Sequence, residues 1–586
     1  MRFAKRFILT TILGLALTTC ASATPTKAKT TKPNIVLIVT DDQGWWDVGI
    51  NGNKVIRTPN LDKLARSGIN FKRFYAQPVC APTRAGLMTG RYYLRTGVYN
   101  TRFGGDTMRG EEITLAEILR NSGYRTGLFG KWHLGHYAGQ RPNDQGFEEF
   151  FGFNHGHIEQ YDYSDQLLHN GKPVKTRGYV TDQFTDAAIN FIKANRKQPF
   201  FCYLAYNAPH SPFIVGDAHA QQQQGDALIS YYLKKGVPLR DARIYAMIER
   251  IDSNVGRLLQ TLDDLNISDD TIVIFMGDNG GVSRFFRAGL RGAKASVFEG
   301  GVRVPCFVRW SGHFPANTET DALASHLDVL PTVCDIVRTP LPKDRKIDGH
   351  SLLPILKTGK GKSPHEYLFH TWNRYFPNKT KGTAVQNERW KLVGKQLFDL
   401  KSDPGEKTNV AGAHPDIAKQ LQTKLDSWFA DVTAGQSFQP LPIPIGHPDD
   451  AKVELQASWA KLNGKSTKYT FRAYDWDSID GWKSPNDFAT WNLTALQPGM
   501  YEVVISYSAS SESRGSKFLV KVGKGSLTGN VQPTVTTDVF REQRLGELQL
   551  SRGKLSLIVQ PIIVKGNELM RLNRIWLRKL NNSGLR

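Results

Sequence analysis

Cys80 stands two residues before Pro82 and four before Arg84, in the stretch Cys80-Ala81-Pro82-Thr83-Arg84. Proline is favoured in the first turn of a helix, so this spacing predicts a helix beginning here, with residue 80 beside its positive end. Arg84 falls in the same turn, and its planar donor fork suits anionic oxygens. Taken alone, a thiol before a helix is ordinary. Other clusters lie far off in sequence. Asp41-Asp42 follow the apolar run 35–39, and Asp278-Asn279 follow the run 271–276. Each pair alone reads as a turn or a helix cap. At equivalent ends of two strands, three carboxylates and an amide oxygen make a hard-oxygen set suited to Ca²⁺ or Mg²⁺ and not to zinc. Lys131 and His133, in Gly130-Lys131-Trp132-His133-Leu134-Gly135, offer a cation and a base tunable near neutral pH. His210 follows Asn207-Ala208-Pro209, and Lys294 follows Leu290-Arg291-Gly292-Ala293. Singly, each is a loop residue.

An α/β framework must position these groups. Residues 35–39, 126–129, 200–206, 271–276 and 304–308 are short apolar runs of the kind found in central strands covered on both faces. Helix-like stretches alternate with them at 58–67, 114–121, 181–194 and 239–265. Such alternation predicts a largely parallel sheet flanked by helices, and ligands of such sheets bind beyond the carboxyl ends of the strands. The polar clusters follow directly on those ends.

The remainder divides by texture. An α/β domain is expected over 33–360, and a smaller α+β subdomain over 361–435, with a helix at 415–430. A stiff Pro-rich linker is expected over 436–450, carrying Pro440, Pro442, Pro444 and Pro448. From 451 to 586, short β-like runs at 469–473, 501–507, 518–522, 555–559 and 572–577 predict a β-sandwich, similar to jelly-roll carbohydrate-binding modules. Gln221 to Gln224 reads as a surface loop. Residues 1–23 read as a secretory signal: Arg2, Lys5 and Arg6, an apolar run at 7–17, then Ala21-Ser22-Ala23 as the cleavage site. That run is too short to span a bilayer, so no transmembrane segment is expected and the protein is periplasmic or secreted. A lipoprotein anchor at Cys20 is the minor alternative. Cys202, Cys306 and Cys334 sit in apolar runs and read as small buried hydrophobes, not a disulfide framework. The formal charge is +22, from 76 Lys and Arg against 54 Asp and Glu, which favours anionic partners. No nucleic-acid-binding motif is present, and an exported chain seldom meets nucleic acid.

Taken together, these residues resemble the type I sulfatase family. Its marks here are C-x-P-x-R at Cys80 with Thr89-Gly90 beyond it, Lys131-x-His133, His210, Lys294 and Gly300-Gly301-Val302-Arg303. The resemblance covers about 33–430, including the Phe398-Asp399-Leu400, Asp403-Pro404 and Glu406 turn of the family's C-terminal subdomain. It implies an alkaline phosphatase-like fold. It also implies that a maturation enzyme, either oxygen-dependent or radical, oxidises Cys80 to formylglycine, whose hydrated aldehyde attacks a sulfate ester. By the same resemblance, Asp41, Asp42, Asp278, Asn279 and the modified residue 80 hold one divalent cation, usually Ca²⁺, with Mg²⁺ as the alternative. Arg84, Lys131 and Lys294 would neutralise the sulfate, His210 and Lys294 would assist departure of the sugar oxygen, and His133 would be the base that releases sulfate. A sulfated polysaccharide or oligosaccharide substrate fits the charge, the compartment and the sandwich together. Candidate recognition residues are His155 and His157, and His370 with Arg374. Two other readings are a phosphonate or phosphate ester hydrolase of the same superfamily and a non-catalytic glycan-binding protein.

Overall fold

The computed structural model describes residues 32–161, 163–216, 222–471 and 476–580. The expected signal segment 1–23 and Cys20 lie outside these residues. Among the described residues, no helix is long and apolar enough to cross a membrane.

A ten-stranded sheet forms the frame. In chain order its strands are β1 (Asn34–Thr40), β2 (Ile69–Phe71), β3 (Arg125–Lys131), β4 (Glu149–Phe153), β5 (Tyr163–His169), β6 (Lys172–Arg177), β7 (Phe200–Ala205), β8 (Thr271–Gly277), β9 (Cys306–Arg309) and β10 (Thr318–Thr320). Their spatial order is β10-β2-β9-β8-β1-β7-β3-β4-β5-β6. The centre, β8-β1-β7-β3-β4, is parallel throughout. The flanks are mixed: β9 runs antiparallel to both β8 and β2, and β5 and β6 return antiparallel beyond β4. β1 is buried along its whole length, and its side chains alternate between two cores. Ile35, Leu37 and Val39 face one layer, and Val36 and Ile38 face the other. A sheet buried on both faces needs apolar residues at every position, which is why these strands read as continuous runs.

The helix Cys80–Thr89, here α1, packs on the first of these layers through Ala81, Ala85, Leu87 and Met88. It ends at Gly90, whose φ of 66° is left-handed and whose N–H bonds Gly86 O at 2.8 Å. The helices Val180–Asn195 and Leu239–Asp264 cover the other layer.

Three local readings need correction. The run 304–308 is divided at Pro305, with Arg303–Val304 pairing Phe74–Tyr75 in a separate small sheet. Proline has no N–H for a ladder, so the strand changes partners there. Gln222 opens a helix, Gln222–Lys234, instead of lying in a loop. Within the expected linker, Ile443–Ile445 is a strand parallel to Phe488–Ala495.

Beyond the main sheet, a four-stranded antiparallel sheet (Leu368–Thr371, Thr383–Gln386, Trp390–Val393, Gln396–Asp399) packs with the helix Pro415–Thr433. The C-terminal region is two six-stranded sheets enclosing a core that includes Trp482, Trp491, Tyr501, Ile505 and Val559. It is docked, not tethered. Tyr137 joins the sandwich core, donates to Glu454 O at 2.7 Å and packs edge-on against Trp459 at 5.0 Å. Arg141 pairs with Asp450 at 2.5 Å.

Candidate active site

Register builds the floor of the site. Thr40, the last residue of β1, lies opposite Gly277, the last of β8. Asp41-Asp42 and Asp278-Asn279 therefore leave the sheet side by side, tied by Asp278 N–H to Thr40 O at 2.9 Å and Asp42 N–H to Asp278 Oδ1 at 3.2 Å. β7 and β3 continue this line, since Val39 pairs with Ala205 and Ala205 with Gly130. Lys131 ends β3 within reach of Asp41, and its Nζ is 2.5 Å from Asp41 Oδ2. Cys80 is the first residue of α1, as its spacing from Pro82 predicts. Asp42 (φ 72°) and His133 (φ 62°) hold left-handed backbone, a strain that functional turns tolerate.

One ligand atom from each of Asp41, Cys80 and Asp278 lies within 4.8 Å of the others. Asp41 Oδ1 and Asn279 Oδ1 are buried acceptors without a hydrogen-bond partner. Buried acceptors left unpaired are costly, so this donor set fits a hard divalent cation. Asp42 completes the acidic floor. Asn279 Nδ2 bonds its Oδ1 at 2.9 Å, and Lys294 Nζ lies 2.7 Å from the same oxygen.

The charges are arranged in layers. Arg84 is 1% exposed and directs two N–H groups to Asp278 Oδ2, at 2.9 and 3.1 Å, and a third to Lys131 O at 2.9 Å. Burial alone would raise the Asp41 carboxyl, but Lys131, followed by His210, Arg84 and Lys294, holds it well below the usual carboxylate range. Burial and the Asp41 charge push Asp278 up against the pull of Arg84. A cation between the two carboxylates would reverse that balance. Burial and then Lys131 push His133 down to about 3, and burial and then Lys294 push His210 down to about 4. Both imidazoles are neutral at pH 7. His133 Nε2 lies 3.1 Å from Thr101 O, which can only accept, so Nε2 carries the proton and Nδ1, buried without a partner, is the free base.

Above this floor opens a cavity of about 680 Å³, lined among others by Cys80, His133, His157, His210, Lys294 and Arg374. Not every expected residue reaches it. Arg84 and Lys131 do not border it; they brace Asp278 and Asp41, and three of the Arg84 N–H groups are directed to protein oxygens. His155 packs against His136 at 4.7 Å and lies outside the lining. His370 is buried, with Nδ1 toward Ala76 O, because its strand turns that position inward; it is not placed to touch a substrate. His157 does face the cavity, 3.0 Å from Glu159 and stacked on His210 at 5.5 Å. Residues that the sequence reading did not put forward as candidates also lie at the site. Asp106 stands 3.7 Å from His133. Asn207, buried with both amide atoms unpartnered, sits just beyond the carboxyl end of β7, a position the strand-end rule could have flagged. Phe103, Trp372, Tyr375 and Phe471 line the mouth and have no local signature.

This combination of a mixed sheet, an acidic strand-end floor and a cysteine opening a buried helix defines a class of hydrolase of alkaline phosphatase-like fold. The sulfatase family matches residues 33–339, and the C-terminal region of N-sulphoglucosamine sulphohydrolase matches 293–431. The chain is 32% identical to N-acetylgalactosamine-6-sulfatase of Mus musculus over 442 residues, 64% of this chain and 81% of that protein. It is also 32% identical to arylsulfatase A of Homo sapiens over 494 residues, 71% and 91% of the two chains. Among solved structures, Ps i-CgsB in complex with k-i-k-neocarrahexaose resembles it with a TM-score of 0.62 and 31% identity, covering 70% of this chain and 95% of that one. The chain belongs to the sulfatase family and is a sulfuric ester hydrolase.

Proposed function

We propose that this sulfatase removes sulfate from a sulfated poly- or oligosaccharide, with residue 80 as the nucleophile after oxidation to formylglycine. The observation that carries the reading is the placement of Cys80. It sits within 4.8 Å of both Asp41 and Asp278 and also borders the open cavity. Asp41, Asp42, Asp278 and Asn279 would hold Ca²⁺, which when bound supplies a Lewis acid for the sulfate oxygens.

The chain's own residues supply the rest. Lys131 keeps Asp41 ionised, and Arg84 holds the Asp278 carboxyl in place through two N–H groups. Lys294, its charge strengthened by Asp42 against the cost of burial, presents N–H donors to the sulfate and to the departing sugar oxygen. His210 shares that wall. His133, neutral and fixed by Thr101 O, takes a proton at Nδ1 from the hydroxyl on residue 80. A formylglycine hydrate has a second hydroxyl through which sulfate can be released, whereas a serine ester would be trapped.

Recognition of the glycan would fall to His157 and Arg374 at the cavity wall. That a relative has been solved with a neocarrahexaose supports the glycan reading. The signal-like segment 1–23 supports export, and amino-terminal sequencing of protein from its host should begin at Thr24. Peptide mass spectrometry should find formylglycine at residue 80, and Cys80→Ser should be nearly inactive. Dialysis against EGTA should abolish activity and lower the melting temperature, with Ca²⁺ restoring both. Sulfate release from glycan substrates should exceed hydrolysis of aryl phosphates and phosphonates; the reverse ranking would move the protein to the phosphonate and phosphate ester hydrolases.

A further inference from the structure

Phe471 belongs to the sandwich, yet it lines the same cavity as Cys80, His210 and Lys294. It meets Phe103 edge-on at 5.0 Å, and Phe103 lies 6.1 Å from Tyr375 and 5.7 Å from Tyr469. Three distant segments thus build one aromatic ledge: the loop before Gly104, the loop after Leu368–Thr371, and the edge of the sandwich. The ledge faces solvent, with Phe471 40% and Tyr375 59% exposed. Large aromatics gathered in the open beside a polar site mark a binding surface more than a packing defect. A second cavity of about 280 Å³ shares Phe103 and Tyr375 and continues over Phe376, Pro440 and Tyr469, away from the Cys80 end. Arg374, and Arg102 at 3.9 Å from Asp477, also border the first cavity.

We propose that this ledge is a subsite for the sugar ring next to the one that loses sulfate, so that the sandwich completes the substrate groove. The inference rests on the glycan reading above. A pyranose presents a C–H face that stacks on aromatic rings and a rim of polar groups that needs a few placed partners, the usual composition of a ligand site. The arginines suit an anionic group on that neighbouring ring. A groove wall must also hold still, and the sandwich is anchored beside the mouth. Besides the contacts of Tyr137 and Arg141, Gly104 leaves room for Pro440 and Trp459, and a Cβ there would stand 2.7 Å from Pro440.

The test compares kcat/KM on sulfated tetrasaccharides, one set from a galactan and one from a glycosaminoglycan, with kcat/KM on 4-nitrophenyl sulfate. Phe471→Ala and Tyr375→Ala, both at exposed positions, are measured beside the wild type, with melting temperatures to verify folding. Each should lower the ratio of tetrasaccharide to aryl sulfate turnover about tenfold, mainly through KM, and Phe471→Trp should restore it. An unchanged ratio in both alanine variants, with a wild type active on tetrasaccharide, overturns the ledge and leaves the glycan reading standing. A larger loss on the aryl sulfate overturns it in favour of an apolar ligand. A wild type active on the aryl sulfate and on neither tetrasaccharide overturns the glycan reading itself and the ledge with it.

Discussion

At the floor of the cavity, Asp41, Asp42, Asp278 and Asn279 directly follow the last residues of two adjacent parallel strands, whose register sets Thr40 against Gly277. At its mouth, Phe103, Tyr375 and Phe471 arrive from loops far apart in sequence and meet only through packing. The floor is fully buried and every charge in it has a neighbour of opposite sign; the mouth is half exposed and apolar. Backbone hydrogen bonds fix strand ends to a fraction of an ångström, which suits chemistry. Loops and a docked domain tolerate change, which suits choice of substrate.

This contrast predicts a ranking of effects. Floor substitutions should be the most severe: Asp278→Ala or Asp41→Ala should lower kcat by about 10³-fold or more, because a preorganised charge is lost at the reacting centre. Near-normal turnover in either would dissolve the distinction between floor and mouth. Next comes the buried joint between the two lobes of the catalytic region. Lys391 Nζ lies 2.9 Å from Glu299 and 3.1 Å from Glu406, with all three side chains almost fully buried. Lys391→Met removes the cation shared by both buried carboxylates, so urea unfolding should show a loss of about 3–5 kcal/mol. A loss under about 1 kcal/mol would mean that the joint is relaxed or hydrated.

The third effect is set by pH. Burial pushes His326 down from 6.5 to about 4. Between those values the unfolded chain binds a proton that the folded chain refuses. This contribution is therefore fully present above pH 6.5 and falls as pH drops toward 4, by about 3 kcal/mol in all. Stability measured at pH 7 and 4.5 should fall less steeply in His326→Gln than in the wild type; equal slopes would reject the assignment. The smallest effect belongs to the mouth. Arg374→Ala should raise KM for a sulfated oligosaccharide by about tenfold with little change in kcat, and an equal fall in kcat would place Arg374 with the chemistry instead.

Much of the floor was legible beforehand because each of its parts is local. An apolar run long enough for a buried strand, followed at once by acidic residues, marks a strand end in an α/β sheet whether or not its partner is known. Pro82 likewise announced the first turn of a helix. Less legible was what each cation does. Arg84 and Lys131 read as donors to a sulfate, whereas the structure buries them against the Asp278 and Asp41 carboxylates. His370 and His155 were drawn in by residue type alone; one proves to be core and the other packs on His136. Pro305 and Ile443 show the same limit in the backbone, since a run's composition does not say which sheet it will join.

By itself, then, the sequence determined the family, through its motifs, and the α/β class, and it singled out Cys80 and the acidic strand ends as candidates, because helix starts and strand ends depend on periodicity and on residues within a few positions of one another. The tertiary structure alone decided which cations face the cavity, which imidazole nitrogen is free, and that a sandwich residue closes the mouth beside Cys80. The physical reason is range. Helix starts and strand ends are settled by near neighbours along the chain, whereas side-chain burial, proton affinity and the joining of loops depend on groups that only folding brings within a few ångströms.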